Sequence, residues 1–224
     1  MKSAYFLTGT DTEIGKTFIT CALLQRAQQL GLSAVGLKPV AAGTDAQGKN
    51  EDVENIRAAS SLNLPNEIIN PYCFKAAVAP HIAASEEGAT IDFARIQAAC
   101  DAAGQQADLL IIEGVGGFRV PLGADGDSAD LAVKLGLPII FVVGMRLGCI
   151  NHALLSVEAI AARKLPIAGW VANCIDPDMA RVEQNLATLK SLINAPLLGV
   201  VPHNPSGGSV AAASFLSLPG QLGL

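Results

Sequence analysis

The sequence has few aromatic residues and no concentration of positive charge. Phe, Trp and Tyr make up 4% of its 224 residues, whereas 50% of the residues are hydrophobic. A core must therefore be built mainly from Ala, Val, Ile and Leu. The formal net charge is −5, and no basic stretch stands out. Because binding to a nucleic-acid backbone depends on clustered Lys and Arg, this composition argues against nucleic acid as a main partner.

Cysteine pairs and long apolar runs are also missing. The cysteines are odd in number and scattered, without a C-x-x-C pair, which suits neither a zinc site nor a disulfide framework. We expect them to be reduced and mostly buried: Cys21, Cys73, Cys100, Cys149 and Cys174. No apolar run reaches membrane-spanning length, and Lys2 is the only charged residue before the first apolar run, so we expect neither a membrane partner nor a signal peptide. These expectations describe a soluble, cytoplasmic protein.

The chain is organised around residues 9–17, Gly-Thr-Asp-Thr-Glu-Ile-Gly-Lys-Thr. They follow an apolar run and precede a helical pattern, and such a loop offers backbone N–H groups to phosphate oxygens. Lys16 would add positive charge at the outer phosphates, and the hydroxyl of Thr17 would bind Mg²⁺. Five residues separate Gly9 from Gly15-Lys16-Thr17, one more than in the common motif. A tight turn with a surface Lys is the alternative, but it does not explain Gly, Lys and Thr together at a helix start.

Strand and helix patterns alternate along nearly the whole chain. Apolar runs predict strands at residues 5–7, 34–40, 109–112, 138–143, 168–172 and 198–201. Helical spacing predicts helices over 16–30, from 51 to 59, over 91–103 and after 148, while 62–84 has the composition of a long loop with short helical pieces. The alternation predicts an α/β fold, a parallel sheet with helices on both faces. We expect residues 1–224 to form a single domain.

Polar residues follow several of these strands, at the edge where parallel sheets bind ligands. Lys38 lies near the end of the second strand. It is either a solvated charge or a contact of the phosphate site. Glu113 follows a buried strand and precedes a Gly-rich turn, so it would hold Mg²⁺ directly or through water, or else simply end the strand. Glu51 and Asp52 begin a helix, where an acid caps the helix or faces a metal.

Two further positions are candidates for ligand contacts. The helix that begins near residues 148–151 has free N–H groups, which favour an anion such as a carboxylate. His81 follows Pro80 in the long loop, where a lone His is more often structural than a ligand contact.

Taken together, these segments resemble the dethiobiotin synthetase family. The longer loop spacing is the family's own form, and the segments occur in the family's order over nearly the full chain. The phosphate loop alone would indicate only the broad nucleotide-hydrolase superfamily, and the combination is much more specific. The resembling segments are residues 8–17, Lys38-Pro39-Val40, residues 113–117 with Val120-Pro121-Leu122, residues 148–152 and residues 169–173.

The resemblance implies a P-loop NTPase-like fold and a reaction. The family makes dethiobiotin, a precursor of biotin, from 7,8-diaminononanoate, CO₂ (or bicarbonate) and ATP with Mg²⁺. It implies that Lys16 and Lys38 flank the transferring phosphoryl group and the carbamate, and that Thr17, Asp52 and Glu113 bind the metal. The resemblance implies that residues 13–17 hold the phosphates and that Asn173 and Pro202-His203-Asn204 border adenine. In full, ATP would be bordered by Glu13, Ile14, Gly15, Lys16, Thr17, Asp52, Glu113, Gly114, Val115, Gly116, Asn173, Cys174, Pro202, His203 and Asn204.

The resemblance also implies a homodimer. Its substrate site would lie at the interface, where Gly148, Cys149, Ile150 and Asn151 of the neighbouring subunit bind the substrate carboxylate. Two positions depart from the family pattern. Ala42 stands where some members have Ser, so a substrate hydrogen bond would be missing or moved. Cys174 stands where members often have Asp, which leaves one contact to the base open. A separate alternative concerns the metal, for which Glu51 is the rival of Asp52 as ligand.

Two rival functions share the phosphate loop. A cobyrinate-type amidotransferase usually carries a glutaminase domain, for which we expect no room in this chain. A partitioning or division-site ATPase typically has an extra Lys near the start of the loop, where this sequence reads Thr8-Gly9-Thr10, and tends to have a membrane-binding helix or a basic surface. The sequence therefore favours the synthetase.

Overall fold

Strands and helices alternate along residues 3–220, the part of the chain that the structure, a computed structural model, describes. The strands are β1 (Ser3–Gly9), β2 (Ala34–Leu37), β3 (Val40–Ala42), β4 (Tyr72–Phe74), β5 (Leu109–Glu113), β6 (Pro121–Gly123), β7 (Gly126–Asp127), β8 (Ile139–Met145), β9 (Ile167–Cys174) and β10 (Leu197–Val201). The helices are α1 (Lys16–Gln29), α2 (Glu51–Ala59), α3 (Asn66–Ile69), α4 (Pro80–Glu86), α5 (Phe93–Gly104), α6 (Ser128–Leu135), α7 (Cys149–Ala162), α8 (Val182–Leu192) and α9 (Gly208–Ala212). The ends of the expected domain, residues 1–2 and 221–224, lie outside the described residues.

Six strands form the main sheet, in the order β10-β9-β8-β1-β5-β2. Every neighbouring pair in it is parallel, which confirms the predicted α/β, P-loop NTPase-like architecture. β1 lies inside the sheet, between β5 and β8. Its carboxyl end therefore opens between two other strand ends, which is where open parallel sheets bind ligands.

The two faces of the sheet are covered by two separate apolar cores. Successive residues of a strand point to opposite faces, so neighbours such as Phe6 and Leu7 belong to different cores. One core joins the sheet to helices such as α5 and α6, and the other joins it to α1 and α9. The first includes Phe6, Ile112, Phe141, Ile96 and Leu131, and the second includes Leu7, Ile111, Val142, Leu23 and Ala212.

The predicted strand at residues 34–40 is in fact two strands in different sheets. β2 ends at Leu37, and β3 pairs with β4 in a small sheet of its own. Two features divert the chain at this point. Pro39 has no N–H to donate to the main sheet. Lys38 donates its N–H to the carbonyl of Ile69 (2.9 Å), and its carbonyl accepts from Nδ2 of Asn70 (2.6 Å). The side chain of Lys38 thus begins where the chain leaves the main sheet.

Several elements were not predicted. The loop at 62–84 contains β4 besides the expected short helices, and α6, α8, α9 and the β6–β7 hairpin had no prediction. α8 buries only Leu189 among its residues, so its apolar pattern is weak. The cysteines are free and mostly buried, as predicted: Cys21, Cys100 and Cys149 are buried, Cys174 is half-buried and Cys73 is exposed. Among the helices of residues 3–220, none is long and apolar enough to cross a membrane.

Candidate active site

The loop between β1 and α1 has the backbone of a phosphate-binding loop. Gly15 caps α1 in the left-handed conformation, with φ 79°. A Cβ at this position would lie 2.4 Å from Nδ2 of Asn173, so the approach of Asn173 requires glycine. Glu13 also has a positive φ, 58°, which is uncommon outside glycine. Since the first turn of a helix leaves its N–H groups free, the loop and α1 together offer donors to an anion.

Lys16 is held within this loop. Its Nζ donates to the carbonyl of Asp11 at 2.7 Å, and only 6% of the residue is exposed. Burial, together with the positive charge of Lys38, lowers the pKa of Lys16 to about 8. The carboxylate of Asp11 accepts from Arg146, at 2.5 Å, in the loop between β8 and α7. The Arg146–Asp11 pair had not been predicted, because its partners are far apart in sequence.

Lys38 joins two carboxylates at the carboxyl edge of the sheet. Its Nζ lies 2.8 Å from Oδ2 of Asp52 and 2.7 Å from Oε1 of Glu113. Burial disfavours the charge of Lys38, but the two carboxylates outweigh this effect and raise its pKa above the ordinary value. Burial likewise opposes the charge of Asp52, and Lys38 more than compensates, so the pKa of Asp52 is lowered. Lys38 and Asp52 are therefore both charged at neutral pH.

Two hydroxyls of α1 complete this cluster. Thr17 donates to Oε1 of Glu113 at 2.7 Å, and Thr20 donates to Oε2 at 2.6 Å. Thr20 is fully buried and had not been predicted as a site residue. Its position one helical turn after Thr17 puts it on the same face of α1, a signal that the sequence did contain.

The cluster fits a magnesium ion that also binds phosphate oxygens. Thr17, Asp52 and Glu113 offer the oxygen ligands that Mg²⁺ prefers. Among the described residues no group of three or more His, Cys, Asp or Glu side chains could hold a metal ion. Mg²⁺ in nucleotide sites is typically bound in this way, by one or two carboxylates, substrate phosphates and water.

The geometry favours Asp52 over Glu51 as the ligand from α2. Asp52 shares Lys38 with Glu113, whereas Glu51 is exposed at the cavity wall. Neither acid caps the helix: the side chain of Asn50 does so, accepting from the N–H of Val53 at 3.2 Å. Helix capping is therefore not the reason for an acid at position 52.

A cavity of about 1240 Å³ opens over the phosphate loop and Lys38. Most of the predicted catalytic and phosphate-binding residues line it. Ile14 and Glu113 do not, because their side chains are buried. The wall also includes residues that sequence reasoning missed, among them Asn50, Ala79 and Ser209. The predicted residues in the wall are Glu13, Gly15, Lys16, Thr17, Lys38, Ala42, Asp52, Val115 and Gly116.

The residues predicted to border adenine lie outside this cavity wall. Asn173 is buried, and its Nδ2 donates to the carbonyl of Ile14 at 2.9 Å. His203 and Asn204 are exposed after β10, and their side chains contact each other at 2.9 Å. Gly114, Cys174 and Pro202 also lie outside the wall. The structure thus ties Asn173 to the phosphate loop, a contact that the sequence did not suggest.

The residues predicted to bind the substrate carboxylate also lie away from the cavity wall of their own chain. Gly148 begins α7 in the left-handed conformation, with φ 92°, Cys149 is buried and Asn151 is exposed. Leu147 beside them is 92% exposed, and Leu155 on α7 is 58% exposed. His81 on α4 is outside the wall as well, and its Nδ1 is buried without a hydrogen-bond partner among the described residues.

Comparison with solved structures shows how widely this fold is shared. The septum site-determining protein MinD of Pyrococcus horikoshii, complexed with Mg-ADP, matches with a TM-score of 0.55 and 15% identity over 95% of this chain and 86% of its own. A ParA family ATPase from Chlorobium tepidum matches with a TM-score of 0.55 and 12% identity over 96% and 90%. At these identities the likeness concerns the fold alone, which the division-site ATPases share.

Comparison of sequences is more specific. A family model described as an AAA domain matches residues 3–210. The ATP-dependent dethiobiotin synthetase BioD of Aromatoleum aromaticum is 60% identical over 220 residues, which are 97% of this chain and 98% of that protein. A match of this identity over nearly the whole of both chains shows that the chain belongs to the dethiobiotin synthetase family.

Proposed function

We propose that the protein is an ATP-dependent dethiobiotin synthetase, a ligase of biotin biosynthesis that uses Mg²⁺. It would carboxylate 7,8-diaminononanoate with CO₂ and close the ureido ring, releasing ADP and phosphate. The observation that carries this proposal is that Lys16, Lys38 and Asp52 line one cavity over the phosphate loop. The 60% identity to a named synthetase supports the same reaction. We propose that residues 1–224 form one P-loop domain of this type.

The reaction begins with capture of CO₂ by one amine of the diamine, which gives a carbamate. A carbamate oxygen then attacks the γ-phosphorus of ATP and displaces ADP, forming a carbamic–phosphoric anhydride. The second amine attacks the carbamoyl carbon, closes the ring and expels phosphate. Phosphoryl transfer of this kind depends on positioning and on neutralising charge, and the substrate itself supplies each nucleophile.

The lysines would supply much of that neutralisation. Lys16, at the start of α1, would contact the outer phosphates, and Lys38 would contact the carbamate and the transferring group. Mg²⁺, held by Thr17, Asp52 and Glu113, would neutralise charge on the phosphates. Loop N–H groups from Glu13 to Thr17 would complete the phosphate site.

No cysteine is needed as a nucleophile, although Cys21 lines the cavity. Burial raises the pKa of Cys21 to about 12, so its thiol stays protonated at neutral pH. A thiol is a poor nucleophile compared with its thiolate. Cys21 therefore serves as a small apolar side chain, which agrees with a mechanism that has no covalent enzyme intermediate.

We also propose a homodimer in which residues 148–151 of one subunit bind the carboxylate tail of the diamine in the other. Two observations support this arrangement. The segment lies away from the cavity of its own chain, and Leu147 and Leu155 beside it are exposed apolar residues that a second subunit would cover. Asn173, Cys174 and Pro202-His203-Asn204 would border adenine at the ends of β9 and β10. Such an enzyme would work in the cytoplasm.

The test is phosphate release by purified protein with ATP, Mg²⁺ and bicarbonate, with and without 7,8-diaminononanoate, while dethiobiotin is followed by mass. The proposed function requires that phosphate release depends on the diamine and matches the dethiobiotin formed. ATP hydrolysis that ignores the diamine, without a ureido product, would point instead to a switch ATPase with the same fold.

A further inference from the structure

We propose that the ammonium of Lys38 takes the place of the metal ion in the metal-free protein and leaves the two carboxylates when a divalent cation binds. Its Nζ lies within 2.8 Å of both Asp52 and Glu113, between two of the three groups assigned to the metal. The side chain of Glu113 is 0% exposed and that of Lys38 is 6% exposed. The inference rests on the proposed metal ligands and goes beyond them.

Burial explains why a cation must occupy this position. A carboxylate without water needs a partner, since an isolated buried charge is very costly. Glu113 has Lys38 as its one ion-pair partner among the described residues, and Asp52 shares the same ammonium. In the absence of metal, Lys38 therefore supplies the counter-charge of the buried Glu113 and holds it beside Asp52, whose side chain is 44% exposed.

The number of acceptor sites on Glu113 explains why Lys38 and a metal ion do not bind its Oε1 together. Oε1 accepts from Thr17 and from Lys38, which uses both lone pairs of that oxygen, and Oε2 is turned toward Thr20. A metal that binds Oε1 must displace one of the two donors. Thr17 can rotate its hydroxyl hydrogen and still offer a lone pair to the metal. The ammonium has no lone pair to offer the metal and is repelled by a second cation beside the buried Glu113, so Lys38 is the group that leaves.

The cavity offers a position for the released ammonium of Lys38. Lys38 lines the same cavity as Lys16, where the phosphates and the carbamate would lie. Metal binding would thus deliver Lys38 to the reacting groups, and metal affinity would be lowered by the need to displace it. Two cations that compete for the same carboxylates are coupled in their binding, and typical couplings between sites are about 5- to 150-fold.

The experiment measures Mn²⁺ binding to nucleotide-free protein by paramagnetic resonance of the free ion. The variant Lys38→Met keeps the length of the side chain and removes its charge, and we expect it to bind Mn²⁺ about tenfold more tightly than the wild type. Lys38→Arg keeps a cation and should show no tightening. Lys49→Met removes a nearby charge whose side chain is 62% exposed, and should stay within about twofold because exposed charges are screened. Equal affinity in Lys38→Met and wild type would overturn the proposal.

Two further arms keep the test decisive. If Lys38→Met is recovered only with divalent metal, the dependence of its Tm on Mn²⁺ gives the same binding constant. Wild-type crystals soaked in Mn²⁺ give the geometry directly: we expect metal between Asp52 and Glu113 and Nζ of Lys38 beyond hydrogen-bond distance of at least one of them. Lys38 still bonded to both acids beside the metal would refute the exchange. None of these arms uses the diamine, so the absence of dethiobiotin formation would count against the proposed function alone.

Discussion

Nδ2 of Asn173 donates to the carbonyl of Ile14 at 2.9 Å and so joins the end of β9 to the phosphate loop. The two residues are 159 positions apart. The bond fixes the peptide that precedes Gly15, and it occupies the space that a Cβ at Gly15 would need. The conformation of the phosphate loop therefore depends on β9, which is separated from β1 by β8, as well as on its own sequence.

Asn173→Ala should weaken the binding of phosphate groups, whether or not an adenine base is attached. Removing a buried hydrogen bond to the loop leaves the Ile14 carbonyl unpaired, at a cost of about 1–3 kcal/mol. We expect the Kd for tripolyphosphate, which has no adenine, to rise about tenfold in calorimetric titrations. Asn194→Ala, at an exposed position, is the control. If Asn173→Ala weakened ATP but left tripolyphosphate binding unchanged, Asn173 would act on the base and not on the loop.

Gly15→Ala should damage the loop more than backbone strain alone explains. Gly31 provides a matched control, because it has the same φ of 79° and nothing lies within 4 Å of its missing Cβ. Both variants should lose about 1 kcal/mol or more of unfolding free energy from the left-handed conformation, as measured by urea denaturation. Only Gly15→Ala, whose Cβ would meet Asn173, should also lose ATP binding. Equal ATP affinity in the two variants would contradict the role of the Asn173 contact.

Thr20→Val should raise the Mg²⁺ concentration needed for activity. Valine keeps the shape of the side chain but removes the hydroxyl that orients Oε2 of Glu113. A hydrogen bond worth about 1 kcal/mol corresponds to about a fivefold increase in the half-saturating Mg²⁺ concentration. Thr20→Ser, which keeps the hydroxyl, should stay close to wild type. A loss of stability with an unchanged Mg²⁺ requirement would make Thr20 a core residue only.

Lys16→Ala should abolish phosphoryl transfer and leave the fold intact. Burial lowers the pKa of Lys16, so its charged form opposes folding, and removing the charge should not destabilise the protein in the absence of phosphate. We expect turnover to fall by about a thousandfold or more, as for the loss of a main electrostatic group, while far-ultraviolet circular dichroism stays unchanged. Near-normal turnover would refute the assignment of the phosphate loop.

Asp130→Asn should lower stability in a pH-dependent way. Asp130 and Asp127 form a capping box at the start of α6, and the N–H of Asp127, with Arg163, lowers the pKa of Asp130 below its ordinary value of 3.8. A depressed folded pKa means that the charged form stabilises the protein above the ordinary value, and that this contribution is lost as pH falls through the folded pKa. The gap between wild type and Asp130→Asn, about 0.5 kcal/mol at pH 7 because solvent screens a side chain that is 38% exposed, should vanish in strong acid. The exposed Asp178→Asn should show no such gap in the same urea series.

Much of the site was predictable because its parts follow strands or begin helices. Glu113 ends a fully buried strand, and Lys16 and Thr17 begin α1, so their positions at one sheet edge follow from the alternation of elements. The prediction placed Lys38 at the correct edge of the sheet, but it made Lys38 part of the strand itself. The strand to which it was assigned ends one residue earlier. There the chain is diverted by a hydrogen bond that Lys38 donates to Ile69 and one that it accepts from Asn70.

The sequence by itself determined the class of fold, the phosphate loop and the family, because each depends on local periodicity or on residues that are adjacent in the chain. The tertiary structure decided which distant groups meet: Thr20 with Glu113, Asn173 with Ile14, and Lys38 with two acids at once. These contacts join residues from 14 to 159 positions apart. They arise only when packing brings the ends of strands and the first turns of helices to one place, and no local pattern encodes that distance.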